Sequence, residues 1–439
     1  MRFLLIKENN RYRFYVLFSL LMLLLFLNYA LLISVPSLIF VGILVLMAFL
    51  GDRDEIISAC ICCIPLATAM PWYYVIAACI IIFLIKYGRD IRLDLGVLPI
   101  ALIVFWEFLH CFSGRANLKM MISFACLYLF LIMIFSMRGI QRLDYIFILR
   151  NFAIAVLAIC CILTLRLLVH NNFNFDITFL NMQRLGISDE EISGLIVNPN
   201  SIGVQCVFAV CGLIQIRTAG QKRVFDLFLI IFILILGALT GSRTYLACLL
   251  ILGVFIFATS KGDIRKKVKL LSVGVCVLAI SIILLYIVFP TAIETFILRL
   301  NVEDITGGRS ALFVAYGKYM FSSLKSMLWG LGSLNLGEDV RQLAIAENVP
   351  HNGVQEIWVA WGFLGLLLFI SVIFVLIRRS KQENPNQSRV NYSLLVIFLA
   401  KAMVGQVITS MYTMLSLALV YLCLCQDLSG KNKYNDLND

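Results

Sequence analysis

Residues 224–259 read VFDLFLIIFILILGALTGSRTYLACLLILGVFIFAT, and this stretch decides the fold of the chain. Two apolar runs, 224–240 and 245–259, flank a turn of very few residues. Each run approaches the roughly 20 residues with which a helix crosses the apolar core of a bilayer. Because a segment inside lipid must satisfy its own backbone polar groups, the stretch predicts two membrane helices joined by a tight turn.

Apolar runs of this kind recur along the whole chain. They lie near 14–33, 35–50, 56–70, 72–85, 95–112, 120–136, 145–169, 194–216, 224–240, 245–259, 270–289, 353–377, 392–409 and 411–426. Two pairs of neighbouring runs, 56–70 with 72–85 and 392–409 with 411–426, are short enough to count as one or two spans each, so we expect 12 to 14 spans. The first run has no cleavage pattern after it, so we expect it to be retained and not removed as a signal peptide. The sequence therefore predicts an all-α, polytopic membrane protein forming one integral membrane domain over 1–439.

The composition supports this class and excludes others. Of the 439 residues 62% are apolar and 14% are charged, whereas a soluble domain carries roughly 25% charged residues. So few charges cannot cover the surface of a soluble enzyme, and a disordered or nucleic-acid-binding protein is excluded with it. The 14 cysteines all lie in apolar stretches, where we interpret them as packing residues and not as a disulfide framework.

The basic residues predict the orientation. With a cytoplasmic N-terminus and alternating spans, 25 of the 36 Lys and Arg residues lie on the cytoplasmic face and 9 on the other. Cytoplasmic loops are enriched in this way, so the net charge of +11 indicates topology and not an acidic partner. Both termini are then cytoplasmic, and the long segments 170–193 and 290–352 lie outside. The sequence contains no G-x-x-x-x-G-K-[ST] loop, so we expect any chemistry to be extracytoplasmic and independent of ATP.

Two arginines on the outer face are candidate ligands for phosphate. Arg243 stands in the turn between two spans, and Arg309 follows two glycines in the long loop 290–352. Glycines let a backbone approach a ligand closely, and a guanidinium offers a planar fork for phosphate oxygens. The alternatives are that Arg243 only anchors a helix end by snorkelling and that Arg309 is a solvated loop residue.

His351 is the candidate general base. It follows Pro350, which is typical of the first turn of a helix, at the mouth of the span 353–377. A histidine there could accept a proton from a hydroxyl group, or it could be interfacial, as we expect for His110 and His170. Two arginines and one histidine on the same face suit a diphosphate and the deprotonation of a hydroxyl.

These motifs resemble those of the O-antigen polymerase and ligase superfamily of bacterial membrane glycosyltransferases. Asn198-Pro199-Asn200 is similar to an asparagine-containing motif often found there, and Phe313 is nearest to the aromatic residue expected after the loop arginine. The resemblance covers about 194–377, whereas the N-terminal half agrees only in hydropathy and topology. The matching pieces are Gly241-Ser242-Arg243-Thr244, Gly307-Gly308-Arg309-Ser310, Leu328-Trp329-Gly330-Leu331-Gly332 and PHNGVQEIWVAWGFLG at 350–365.

The resemblance implies a GT-C-like fold with a large extracytoplasmic loop, in the bacterial cytoplasmic (inner) membrane. It implies a polymerase that joins undecaprenyl-diphosphate-linked oligosaccharides without cofactor or metal, with membrane lipid, a chain-length regulator and a flippase as candidate partners. His351 would be the base, and Arg243 and Arg309 would hold the diphosphate. Further candidates for binding or positioning are Asn352, Glu356, Asn200, Arg166 and Lys401.

Three alternatives stay open. A ligase-type transferase that moves the glycan to another acceptor shares the chemistry and the motifs. A transporter or lipid flippase is favoured less, because apart from Lys401 the spans contain almost no charge. A non-catalytic assembly scaffold is the fourth interpretation.

Overall fold

The protein is an all-helical bundle. The computed structural model describes residues 11–111, 118–174, 176, 198–221, 223–259, 309–334, 336–343, 345–346, 348–385 and 388–426, with isolated positions between 265 and 298. Within these ranges there are sixteen α-helices and no strand. They are α1 Tyr12–Tyr29, α2 Ser37–Leu50, α3 Arg53–Leu66, α4 Trp72–Tyr87, α5 Leu98–Cys111, α6 Leu118–Ser136, α7 Tyr145–His170, α8 Pro199–Thr218, α9 Val224–Leu239, α10 Arg243–Thr259, α11 Arg309–Met320, α12 Leu324–Leu328, α13 Leu336–Gln342, α14 Gly353–Glu383, α15 Ser393–Val404 and α16 Met411–Leu424.

The helices confirm an all-α, polytopic membrane protein. Thirteen of the fourteen apolar runs coincide with helices, and of the remaining run, 270–289, the structure describes only isolated positions. Six helices in the described part are long and apolar enough to cross a membrane, and five shorter ones are also apolar. The number of 12 to 14 spans requires the short helices to cross as well, and it stays a prediction. The six long ones are Tyr12–Tyr29, Trp72–Asp90, Leu118–Ser136, Tyr145–His170, Pro199–Thr218 and Gly353–Glu383.

Three helices form the centre of the bundle. Helix α3 is buried at every position from Asp54 to Leu66, α16 is buried from Thr413 to Leu424, and α8 is buried along most of its length. A helix that is apolar all round is stable only when neighbours surround it. All thirteen described cysteines are free thiols and eleven of them are buried, as expected for packing residues.

The peripheral helices present an apolar face outwards. Along α9, Phe228, Phe232 and Ile235 are exposed, whereas Leu229 and Ile233 are buried. The exposed residues recur every three or four positions, so they form one stripe on the helix. In a membrane this stripe lies against lipid chains, where exposure of apolar side chains carries no hydrophobic penalty.

Ion pairs gather segments at one end of the bundle. Arg11 pairs with Asp54 at 2.9 Å and with Asp144 at 2.7 Å, and Arg150 pairs with the fully buried Asp226 through two 2.7 Å contacts. All five residues belong to segments that alternation of the spans assigns to the same face. The contacts support the predicted alternation, and we call this end the ion-pair end of the bundle.

A bend in α14 receives part of the long loop. Gly362 has φ +68° inside the helix, and a side chain there would overlap the backbone carbonyl of Leu328. The bend exposes backbone carbonyls, and the N–H of Leu331 donates to the carbonyl of Val359 at 2.9 Å. Only glycine adopts this conformation and permits this approach readily. The Gly-Leu-Gly motif at 330–332 and the glycine of α14 therefore act together.

Candidate functional site

Arg243 lies at the end of the bundle opposite the ion-pair end. Helix α9 starts beside Asp226 at the ion-pair end and runs across, so the turn that follows it puts the exposed Arg243 at the opposite end. Ser242 holds this turn by donating its hydroxyl to Oδ1 of Asn200 at 2.7 Å. The asparagine motif of α8 and the serine-arginine turn, which the sequence singled out separately, are thus in direct contact.

Arg309 lies close to Arg243. It is the first residue of α11, is half-buried, and donates from Nη1 to the carbonyl of Val404 at 2.9 Å. Burial lowers the pKa of Arg309, and the charge of Arg243 lowers it further. Two guanidinium groups that repel each other form a natural site for an anion. The two preceding glycines, 307 and 308, lie outside the described residues.

His351 belongs to the same cluster of charges. It is half-buried, immediately before the N-cap of α14. Burial lowers the pKa of His351 below its usual 6.5, and the charges of Arg309 and Lys401 lower it further. The imidazole is therefore neutral at physiological pH, the form in which a histidine accepts a proton.

Lys401 stands at the site and not in the middle of a span. It is buried in the last turn of α15, with its amine against Gly405, where a side chain would overlap the amine. Its charge interacts with those of Glu356 and Arg309. An ionisable group that is buried in this way is usually functional or paired, and here it adds a third cation to the cluster.

Glu356 holds the segment that joins α15 to α16. Its carboxylate is fully buried and accepts hydrogen bonds from the N–H groups of Ile408 at 3.1 Å and Thr409 at 3.0 Å. It also accepts from the N–H of Val407 and from the Thr409 hydroxyl. A buried carboxylate is stable when several donors surround it. Glu356 fixes the backbone near Lys401 and supplies the negative charge that accompanies this amine.

Asn352 is the N-cap of α14. Its Oδ1 accepts from the N–H of Val354 at 3.0 Å and of Gln355 at 3.2 Å, and its Nδ2 donates to the carbonyl of Met403 at 2.9 Å. Both ends of the amide are engaged in the fold, as is typical of a capping asparagine. Asn352 therefore positions the backbone that carries His351 and joins α14 to α15.

Two further sequence candidates lie near this region. Phe313, the aromatic residue expected after the loop arginine, exposes its ring, while its carbonyl accepts from Nε2 of Gln355 at 2.8 Å. Arg166 is half-buried near the end of α7, at the same end of the bundle as Arg243. The hydrogen bonds and charge interactions described above do not involve Arg166, whose role as a phosphate contact stays a prediction.

Sequence reasoning missed the role of Glu107. This carboxylate of α5 is buried and accepts from the N–H groups of Ser333 at 2.9 Å and Leu334 at 3.0 Å, and from the indole N–H of Trp361. It thus attaches the long loop to the bend of α14. The available signal was a single acidic residue inside an apolar run, which marks a paired or functional group.

Two comparisons with known proteins give no match. No model of a known protein family matches the chain, and a search of the curated proteins finds no relative. The resemblance to the O-antigen polymerase and ligase superfamily rests on the motifs quoted above, and the site rests on its own geometry.

Proposed function

We propose that this protein is a membrane glycosyltransferase of the polysaccharide polymerase type. It joins undecaprenyl-diphosphate-linked oligosaccharide repeat units, destined for an O-antigen or capsule, at the outer face of the bacterial cytoplasmic membrane. One observation carries the proposal, which is the gathering of Arg243, Arg309, Lys401 and His351 at one end of the bundle. These residues come from four separate parts of the sequence, and the fold brings their charges together.

The charge of the cluster suits a diphosphate. Three basic side chains accompany one carboxylate, Glu356, whose oxygens are already occupied by backbone and hydroxyl donors. Arginine binds phosphate oxygens in pairs and keeps its charge at any physiological pH. A lipid-linked diphosphate has its charged group at the level of the helix ends, where this cluster lies.

The reaction follows from these groups. The hydroxyl oxygen of the acceptor sugar attacks the anomeric carbon of the donor, and the bond from this carbon to the diphosphate oxygen breaks. His351 accepts the hydroxyl proton, an effect worth roughly 10²–10⁴ in rate, and later releases it to water. Arg243 and Arg309 hold the departing undecaprenyl diphosphate and offset its growing negative charge.

The finer topology belongs to the same proposal. The six long helices and the five shorter apolar ones make eleven spans, and α3, α15 and the run 270–289 bring the number to 12 to 14 in a GT-C-like arrangement. Both termini are cytoplasmic, and 290–352 is the large extracytoplasmic loop. The distribution of Lys and Arg supports this orientation. The packing of α11 and α12 against the start of α14 supports a loop that covers the site.

A ligase-type transferase is the second candidate, because the same cluster would hold the same donor. It would pass the glycan to a different acceptor and would leave the lipid-linked repeat unit without elongation. A transporter or flippase would move the lipid-linked sugar and break no bond. The products of the reaction therefore distinguish these functions.

The test uses the purified full chain in lipid nanodiscs with undecaprenyl-diphosphate-linked repeat units from the source organism. We expect a ladder of longer lipid-linked oligosaccharides and the release of undecaprenyl diphosphate, both measured by mass spectrometry. His351→Ala should abolish both products, whereas His170→Ala, a change at an exposed histidine of the same end, should leave them unchanged. A normal ladder from the His351→Ala variant would overturn the proposed mechanism.

A further inference from the structure

A polar cavity lies at the ion-pair end of the bundle, away from the candidate site. Its volume is 550 Å³, and its wall comes from the start of α3, from 90–94, from 135–142 and from the end of α14. Five arginines line it together with three acidic residues, Asp90, Asp94 and Glu383. The lining therefore has two more positive than negative charges. The arginines of the lining are Arg53, Arg92, Arg138, Arg142 and Arg379.

The wall of this cavity is built by the backbone. The segments 90–92 and 136–138 pair as a short antiparallel bridge, in which the N–H of Arg92 donates to Ser136 at 2.8 Å and the N–H of Arg138 donates to Asp90 at 2.7 Å. Arg53 donates to the carbonyl of Arg138 at 3.3 Å and to the carbonyl of Gly139 at 3.2 Å. The positions of the arginines are therefore set by ordered backbone on both sides.

Two of the five arginines are already neutralised. Arg379 pairs with Asp94, and Arg53 lies 3.6 Å from Asp90. Burial favours the neutral form of Asp94, but the N–H of Gly96 and the charges of Arg379 and Arg92 outweigh it and lower the pKa of Asp94. The carboxylate therefore stays ionised.

The other three arginines remain available to a ligand. The side chains of Arg92, Arg138 and Arg142 are exposed. None of their three guanidinium groups has a hydrogen bond or ion pair to another described residue. The exposed guanidinium groups border the same cavity, which distinguishes them from basic residues scattered over a surface. Together they form a positively charged rim around one space.

Ser136 supplies an independent sign of a ligand. This last residue of α6 is 3% exposed and lines the cavity, and its hydroxyl has no hydrogen-bond partner in the described part of the chain. A buried hydroxyl without a partner is costly, and buried polar groups nearly always have one. An acceptor oxygen in the cavity would satisfy it.

We infer that this cavity binds a phosphate group, carried by a phosphomonoester or a phosphodiester ligand. Guanidinium forks match phosphate oxygens, and the unpartnered hydroxyl of Ser136, a lining residue, offers one more donor. The volume falls in the range of small-molecule sites. Two sources share this chemistry, a soluble phosphate ester and the headgroup of an anionic phospholipid, for which basic pockets at the ends of membrane helices are typical sites.

The test measures binding to the full chain, purified in a zwitterionic detergent. The probes are sodium pyrophosphate, compared with sodium chloride at equal ionic strength, and phosphatidylglycerol, compared with phosphatidylcholine. We expect the double variant Arg138→Gln and Arg142→Gln to weaken binding by about tenfold or more, because each charge-assisted contact is strong. The matched control, Arg89→Gln with Arg389→Gln, removes two exposed charges outside the lining and should bind like the natural chain.

The outcomes separate the two sources. Phosphatidylglycerol that pyrophosphate does not displace identifies a lipid headgroup. Pyrophosphate binding that is lost in the double variant Arg138→Gln and Arg142→Gln identifies a soluble phosphate in this cavity and excludes binding at Arg243 and Arg309 as its source. No binding of either probe, or equal losses in the two double variants, would overturn the inference.

Ser136→Ala is a smaller change that keeps every charge, so it tests the cavity even if a double variant does not fold. It should also weaken binding, and unchanged affinity would overturn the inference, because the unpartnered hydroxyl is its independent sign of a ligand.

Discussion

Arg243 and Arg309 have two interpretations, as ligands for phosphate or as arginines that only anchor a helix end or lie in solvent. A snorkelling arginine extends toward water and keeps away from other cations. Here the charge of Arg243 lowers the pKa of Arg309, and Arg309 is half-buried with its Nη1 on the carbonyl of Val404. The two guanidinium groups are therefore near enough for their charges to repel. Such an arrangement is stabilised when an anion binds between the two groups.

The first prediction concerns the shape of the cation at position 243. Arg243→Lys should lower the polymerisation rate by roughly 10²–10³, since a point charge does not replace a bidentate fork on the diphosphate. The measurement is the amount of elongated lipid-linked oligosaccharide made by equal quantities of protein in nanodiscs. Arg341→Lys, in α13, is the control and should keep full activity. Full activity of Arg243→Lys would return Arg243 to the role of a helix anchor.

The second prediction concerns the protonation of His351. Because its pKa is lowered, the neutral imidazole persists below pH 6.5, and activity should fall only at more acidic pH. Protonation is disfavoured in the folded state, so this residue reduces stability as pH falls below its unfolded pKa. Modification of His351 by diethyl pyrocarbonate, followed by site-resolved mass spectrometry, reports the neutral fraction at each pH.

The cause of this shift can be tested at the same residue. Arg309→Gln removes a positive charge that disfavours the imidazolium, so the midpoint of His351 modification should move to higher pH. Arg341→Gln should leave the midpoint where it is. An unchanged midpoint in Arg309→Gln would show that the two residues do not interact and would separate His351 from the arginine pair.

At the scale of the elements, apolar runs predicted the helices well and their junctions poorly. A run of apolar residues carries its own signal for a helix in a membrane. The buried carboxylate of Glu107 binds a loop more than two hundred residues away in the chain, and that of Glu356 binds one more than fifty residues away. No local pattern encodes such pairings. For the same reason the sequence named Lys401 and Glu356 as candidates, but it did not predict that Glu356 binds the backbone N–H groups of 408–409 or that the charge of Lys401 acts on His351.

The bend of α14 gives the third prediction. Gly362→Ala should destabilise the protein by more than about 1–2 kcal/mol, because the left-handed backbone is strained for alanine and the new methyl group would overlap the carbonyl of Leu328. The measurement is the thermal unfolding of the purified protein in detergent. Gly42→Ala in α2, where a side chain meets no atom within 4 Å, should leave stability equal or slightly higher. Equal stability of the two variants would mean that the bend tolerates alanine.

At the scale of the molecule, charge is separated between the two ends of the bundle. The ion-pair end holds Arg11, Arg150 and their carboxylate partners, as well as the arginine-lined cavity. The opposite end holds the small cluster around Arg243 and Arg309. Alternation of the apolar runs predicted which segments share an end, because consecutive membrane helices reverse direction. The sequence alone assigns the ion-pair end to the cytoplasm through its excess of basic residues.

The fourth prediction tests this assignment directly. A cysteine placed at Arg341, in α13, should react with a membrane-impermeant maleimide in intact spheroplasts, and a cysteine at Arg89 should react only after the membrane is opened. Both positions are exposed, and the natural chain measures the background, since its described cysteines are buried or half-buried. The reverse pattern would place the arginine-histidine cluster in the cytoplasm, away from the face where lipid-linked repeat units are polymerised. In that case the proposed donor would have no access to His351, whatever the charge of the site.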